Sequence, residues 1–359
     1  MIKLLHTADL HLKAPSNEDS SYSLDCLKVI LETASTHGAD AILFCGDIFD
    51  ASSDYQDEQF VEKVVGVLNG SKVPILYIPG NHEDKSGEFS ALKTISLGAR
   101  VSLFTDVQLK KLSKNGVGIE ILCVPHQESY QDFLEWDIPS KQCKHRIAIA
   151  HGELPGFTFL GDEEGAGVLN PSIFSHFQAA QVFLGHIHLA AEESLGGIEF
   201  FYSGSPRTVR RSETGIRGVN LVEIEDEIEV KRIELPEVGV MRRISVSPLE
   251  NDWAQQVRNE LASASHNDRI KVTLEGTVEE DGQIIEDAGA LEKNLQQKFR
   301  RVEIENRLKP IEDLIDNPFF KQVYDRWKED TPEDKQSYEY RVWLQMINSL
   351  EFIRKEVLK

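Results

Sequence analysis

Thiols are scarce in this chain. Its four cysteines, Cys26, Cys45, Cys123 and Cys143, stand far apart and form no C-x-x-C pair, which argues against a disulfide framework and a thiolate zinc site. A reducing, cytoplasmic setting is expected. Long apolar runs are also missing, and nothing approaches the ~18 residues of a membrane helix. The opening Met1–Asp9 is apolar only briefly before His6 and Asp9 break it, so it does not read as a signal peptide. There is no G-x-G-x-x-G, no P-loop, no internal repeat and no low-complexity tract. Positive charge is short: 39 Lys and Arg face 60 Asp and Glu, a net of −21. Such a balance is the opposite of a self-sufficient polyanion-binding surface. The deficit is uneven, −16 over residues 1–239 and −5 over residues 240–359. Bound divalent cations would offset part of it, and a basic partner could supply the rest.

What is present is globular composition, 40% hydrophobic and 28% charged, over 359 residues. That length predicts two folding units. Short apolar runs at Ile2–Leu5, Ala41–Cys45, Pro74–Ile78, Ile119–Val124, Arg146–Ala150 and Gln181–Leu184 read as strands. Leu24–Ser35 and Phe60–Leu68 carry apolar residues at helical spacing and stop at His37-Gly38 and Asn69-Gly70. This alternation implies largely parallel sheets with covering helices. The helixless stretch from Ile198 to Leu235, with its alternating Glu223–Val230, reads as antiparallel strand and hairpin. The fold class expected is α/β: a four-layer α/β/β/α sandwich, then a smaller α+β domain and a C-terminal helix. The boundaries are placed at 1–238, 239–328 and 329–359. In the second domain Arg243–Val246 and Ile270–Leu274 read as strands, and Trp253–Ala262 and Ala290–Phe299 as helices.

Five of the strands run into residues able to ligate a metal. They are Asp9-Leu-His11, Gly46-Asp47-Ile-Phe-Asp50, Gly80-Asn81-His82-Glu83, His151-Gly152 and Gly185-His186-Ile-His188. Parallel strands bring their C-terminal ends to one sheet edge, so loops from Asp9 to His188 can converge. Imidazoles and carboxylates without a thiolate suit manganese, iron or zinc. In D-x-H and H-x-H, alternate side chains of an extended segment point the same way. One carboxylate, Asp47, can bridge two ions ~3.5–4 Å apart. His6, His37, His126, His145, His176 and His266 fall outside the set and read as ordinary histidines.

In that order the five motifs resemble the calcineurin-like metallophosphoesterases. Three finer features, His6-Thr-Ala-Asp-Leu-His11, Gly46-Asp-Ile-Phe-Asp50 and Phe201-Tyr-Ser-Gly-Ser-Pro-Arg207 followed by Gly215-Ile-Arg-Gly218-Val, resemble the SbcD-type nuclease subunits of DNA-repair complexes. One departure is Glu83, where those nucleases commonly have Asp. The resemblance implies that Asp9, His11, Asp47 and His188 hold one metal ion and Asp47, Asn81, His151 and His186 the other, with Mn²⁺ the activating ion. It leaves His82 to face the phosphate and protonate the leaving oxygen, with Asp50 orienting it. The activity implied is two-metal hydrolysis of phosphodiesters by a DNA exonuclease or endonuclease subunit. The alternative is a phosphodiesterase or phosphatase for a small phosphoester. DNA, a coiled-coil SbcC-like ATPase and a second copy of the chain are the expected partners, and no membrane.

Arg207, Arg210 and Arg211 form a basic run and are candidate DNA contacts. Near the C-terminus, Tyr340, Trp343, Met346, Leu350, Ile353 and Val357 recur every three or four residues. That spacing predicts an amphipathic helix over 339–357; its apolar stripe either packs on the chain's own capping domain or, as the resemblance implies, grips the base of the ATPase's coiled coil.

Overall fold

The computed structural model describes residues 1–14, 20–156, 167–210, 212–248, 252–278 and 281–310, with residues 313, 318, 321, 322, 324–326, 342, 346 and 349. The chain divides into two compact units, Met1–Val240 and Met241–Lys359.

The first unit is built on two six-stranded sheets. Its strands are β1 (Ile2–Thr7), β2 (Ala41–Cys45), β3 (Ile75–Ile78), β4 (Val101–Leu103), β5 (Gln108–Lys114), β6 (Val117–Val124), β7 (His145–His151), β8 (Gln181–Gly185), β9 (Ala191–Leu195), β10 (Ile198–Tyr202), β11 (Gly218–Ile224) and β12 (Ile228–Glu234). One sheet runs in the order β12-β11-β1-β2-β3-β4, the other β5-β6-β7-β8-β10-β9. β1 to β4 are mutually parallel, as are β6, β7, β8 and β10; β11 runs antiparallel to β1, and the hairpins β5-β6, β9-β10 and β11-β12 are antiparallel.

Strand alternation sorts side chains between layers. From β2, Ile42 and Phe44 join Leu27 and Ile30 of helix α1 (Ser20–Thr36) and Phe60 and Val64 of α3 (Glu58–Asn69), which follows the short α2 (Ser52–Gln56). Ala41, Leu43 and Cys45 point the other way and pack with Ile147, Ile149 and Phe183 of the second sheet. Ala148 and Ala150 of β7 face the outer layer with Phe174 of α4 (Ser172–His176). Helix, sheet, sheet and helix thus stack in the expected four layers. No helix among the described residues is long and apolar enough to cross a membrane.

The second unit has its own core, with Val257, Val272, Leu274, Leu291 and Leu295 at its centre. It is a parallel three-stranded sheet, β13 (Met241–Val246), β14 (Arg269–Val278) and β15 (Arg301–Pro310), with α5 (Trp253–Glu260) and α6 (Gly282–Gln296) as its crossovers. Of the expected helix over 339–357, Val342, Met346 and Ser349 are helical; the rest lies outside the described residues.

Candidate active site

The loops after β1, β2, β3, β7 and β8 converge where the two sheets meet. Their backbones are held in an unusual state: Asp9, His11, Asp47 and His186 all have positive φ, at 55°, 50°, 52° and 96°. An L-residue in that region costs roughly 1–2 kcal/mol, so the surroundings must hold it there. Main-chain hydrogen bonds do so, from the Asp9 N–H to the Gly46 carbonyl (3.1 Å), from His11 to Asp47 (3.0 Å) and from Leu12 to Ile48 (2.7 Å). Gly80 is required by space alone, since a Cβ there would lie 2.2 Å from Asp47 Oδ1 and 2.6 Å from the His151 ring.

Two fully buried donor clusters result, Asp9 with His11 and His188, and Asp47 with His151 and His186. Asp47 Oδ2 is 3.3 Å from His151 Nε2 and 4.0 Å from His11 Nε2, between the two clusters. Asn81 Oδ1 lies 2.9 Å from His151 Nε2. His11 Nε2 and His188 Nε2 face each other at 3.0 Å. His151 Nδ1 donates to the Cys45 carbonyl at 2.8 Å, which turns Nε2 towards Asp47.

Electrostatics fit the same reading. Burial lowers His11 to about 4 and His186 to about 3, so both rings are neutral and their lone pairs are free to ligate. Burial also lifts the Asp9 carboxyl to about 6, and its Oδ2 is buried without a hydrogen-bond partner. At Asp47 burial is outweighed by His151, His11 and His82, which hold the carboxyl well below the usual range. An orphaned carboxylate oxygen beside two converging imidazole nitrogens is a group that a divalent cation satisfies. The donors present thus fit two divalent ions.

Beside the clusters, half-buried His82 donates its main-chain N–H to Asp47 Oδ1 (3.0 Å), and its Nδ1 lies 2.5 Å from the main-chain carbonyl of Asp50. The Asp50 carboxylate lies within 4.8 Å of a ring nitrogen of His82. It also sits 3.2 Å from His11 Nδ1 and 3.2 Å from Lys13 Nζ. The expectation for Arg207 needs correcting. Its side chain is fully buried, and its guanidinium donates to the carbonyls of Leu10 (2.6 Å), His11 and Thr208, beyond reach of any nucleic acid. Arg210 is half-buried, and Arg211 lies outside the described residues.

Glu83 was visible in the sequence only as a departure from a motif. Fully buried, its Oε2 accepts from the N–H groups of Asp47 (3.0 Å) and Gly80 (2.7 Å), and its Oε1 from Phe49 (2.9 Å). One carboxylate thereby ties the β2 loop to the β3 loop. An acid following G-N-H was the signal for it. Glu153, 3.4 Å from His186 Nε2, was not anticipated either. His126, taken as ordinary, is buried with its ring centroid 6.4 Å from that of His151.

Residues 2–190 match the calcineurin-like phosphoesterase family, and the chain belongs to it. It is a metal-dependent phosphoesterase. A curated relative, the 3',5'-cyclic adenosine monophosphate phosphodiesterase CpdA of Escherichia coli strain K12, is 24% identical over 200 residues, covering 52% of this chain and 70% of that protein. Among solved structures, a dimetal phosphatase from Danio rerio is 11% identical with a TM-score of 0.45, covering 64% of this chain and 95% of its own. A putative 5'-nucleotidase from Staphylococcus aureus is 15% identical with a TM-score of 0.43, covering 74% of this chain and 59% of its own.

Proposed function

We propose that the chain is a two-metal phosphodiesterase whose substrates are small phosphodiesters. The observation that carries this is Asp47, shared between two buried donor clusters with His82 held against it. In this reading Asp9, His11, Asp47 and His188 hold one ion, and Asp47, Asn81, His151 and His186 the second. Manganese suits the oxygen and imidazole donors, as iron or zinc would. The bound pair supplies Lewis-acid charge and lowers the pKa of a water. The chain's own residues do the rest. The half-buried His82, with Nδ1 fixed by the Asp50 carbonyl, presents Nε2 as the proton donor to the leaving oxygen. Asp50 and Lys13 act on the other flank, through His11 Nδ1.

Substrate size follows from charge and likeness. A net of −16 over residues 1–239 works against a long polyanion, and burial of Arg207 removes one of the three basic contacts expected for it. The likeness to CpdA, whose name gives cyclic AMP as substrate, supports a small diester. A second reading is favoured by the separately cored unit after Val240 and by the Phe201–Arg207 motif. It is a DNA exonuclease or endonuclease subunit working with a coiled-coil ATPase. Buried free cysteines suit a cytoplasmic setting in either case.

The test compares hydrolysis of a cyclic nucleotide, a nitrophenyl diester and single- and double-stranded DNA, with Mn²⁺, with and without the ATPase. Turnover of the small diesters by the chain alone, with DNA cleaved far more slowly, is the expected result. DNA cleavage that matches or exceeds diester turnover once the ATPase is added would move the assignment to the nuclease.

A further inference from the structure

The described residues of Ser203–Arg217 touch the site at several points that their position in the chain does not suggest. The carbonyl of His188 accepts from the Ser205 N–H (3.1 Å) and from Arg217 Nη1 (3.1 Å). The ring of His188 donates from Nδ1 to Glu213 Oε1 at 2.6 Å. Glu213 Oε2 is itself fixed by the Val209 N–H (2.8 Å) and the Ser205 hydroxyl (3.3 Å). Close approach depends on Gly204, with φ +66°, where a Cβ would meet Ala190 N at 2.7 Å and the His188 carbonyl at 2.8 Å. Arg207, from the same segment, donates to the carbonyls of Leu10 and His11.

We infer that Ser203–Arg217 is a strap that sets the geometry of the ion site formed by Asp9, His11 and His188, with Glu213 and Arg207 as its positioning residues. The inference rests on the two-ion reading above. Its physical content is tautomer and angle. A carboxylate accepting from Nδ1–H leaves the lone pair on Nε2, the atom facing His11 Nε2 at 3.0 Å. The charge also raises the basicity of that nitrogen. Arg207 holds the carbonyls on either side of the left-handed His11, so the guanidinium fixes the loop that carries Asp9 and His11. Because Glu213 and Arg207 belong to one short segment, both sides of one cluster are braced against the same piece of chain. Asp47 and His151 are braced instead by Glu83 and Cys45, and His186 Nε2 lies 3.4 Å from Glu153 Oε1.

The experiment is a Mn²⁺ titration of the full chain, stripped of metal, followed by electron paramagnetic resonance and calorimetry. The unaltered chain should take up two equivalents; if it does not, the two-ion reading itself fails, whatever the variants do. Glu213→Gln keeps an acceptor oxygen but removes the charge, and Glu213→Ala removes both. One equivalent should weaken about 10-fold in the first and up to about 100-fold in the second, the range for loss of a carboxylate behind a metal-bound histidine. The other equivalent should stay within about threefold, and metal-free melting should stay close to that of the unaltered chain. Arg207→Lys tests the second brace in the same titration and should weaken the same equivalent. Unchanged affinity in the Glu213 variants, or equal weakening of both equivalents, would overturn the strap.

Discussion

Asp47 carries two demands that no other residue here combines. Its Oδ2 lies between donors of both clusters, and its Oδ1 accepts the His82 N–H. Asp47→Asn should therefore lose both ions and activity together, read by elemental analysis and turnover, while far-ultraviolet dichroism stays unchanged. A variant that keeps two ions would remove Asp47 from the centre of the site. His82→Ala should differ, retaining the ions and losing kcat by roughly 10²–10⁴-fold. That loss should shrink on a nitrophenyl diester, whose leaving group needs no proton; an equal loss on every substrate would assign His82 a metal-ordering role. Glu83 holds three N–H groups of two loops, and Glu83→Ala would strand them in a buried place at about 1–3 kcal/mol for each group that water cannot reach. Its check is a lowered denaturation midpoint together with weakened metal uptake. The ligand types and their order were legible because each candidate stands directly after an apolar run. Glu83, Glu213 and Arg207 were not legible in their roles. Their partners include main-chain atoms and a histidine ring 25 to 197 residues away, and no local pattern encodes such a contact.

At the scale of elements, the sheets can meet at the site only because β8 ends in a glycine. A Cβ on Gly185 would lie 1.9 Å from the Cys45 carbonyl at the end of β2. In the second sheet, β6 and β7 are joined by a buried ion pair, Arg146 Nη2 to Glu120 Oε2 at 2.8 Å, and Arg146 also donates to the Phe177 and Pro139 carbonyls. Glu120→Gln should cost about 3 kcal/mol, since it leaves a buried guanidinium without its counter-charge. Burial acts to raise the Glu120 carboxyl, but hydrogen bonds and charge from Arg146 and Gln142 hold it below its ordinary 4.5. A depressed carboxylate stabilises above its unfolded value, and that stability is lost as pH falls through the folded one. Stability should therefore drop below about pH 4.5, and the drop should shrink in Glu120→Gln; an unchanged acid limb in denaturation curves would deny the pair this role. Elements were read well where a continuous apolar run marks a buried strand, as at Ala41–Cys45. The antiparallel strand and hairpin expected around Glu223–Val230 are present too, with Ile224 paired to Ile228 across the turn between β11 and β12. Elements were missed where charge dominates. β15 escaped notice because Arg301, Glu303, Glu305, Arg307 and Lys309 mask an alternation whose other face is half-buried. In α6 the glycine at 289 obscured a helix that begins at Gly282.

For the whole molecule, charge and domain structure meet in the metal. Sixteen net negative charges fall on residues 1–239, and every donor of the two clusters belongs to Met1–Val240. Those donors sit on loops from both sheets, so an ion held by them is bound only when the sandwich is folded. Binding to the native state alone adds about 2.7 kcal/mol per ion at a hundredfold excess over Kd. For a unit of this size each kcal/mol raises Tm by roughly 2–4 °C. Unit Met241–Lys359 has a separate core, and none of its described residues belongs to either cluster. Differential scanning calorimetry of the full chain should then resolve two transitions. The larger one, from the sandwich, should fall by roughly 10–20 °C when a chelator replaces Mn²⁺, and the smaller should stay where it is. If both move together, the two units unfold as one and the separation of their cores has no thermodynamic counterpart. If neither moves, the clusters hold no ion tightly enough to matter at this concentration. Part of the shift is electrostatic, because two divalent ions relieve crowding among buried carboxylates. Salt screens exposed charges and leaves buried ones largely untouched. The chelator effect should thus persist in 0.5 M potassium chloride, where a nonspecific cation atmosphere would have removed it.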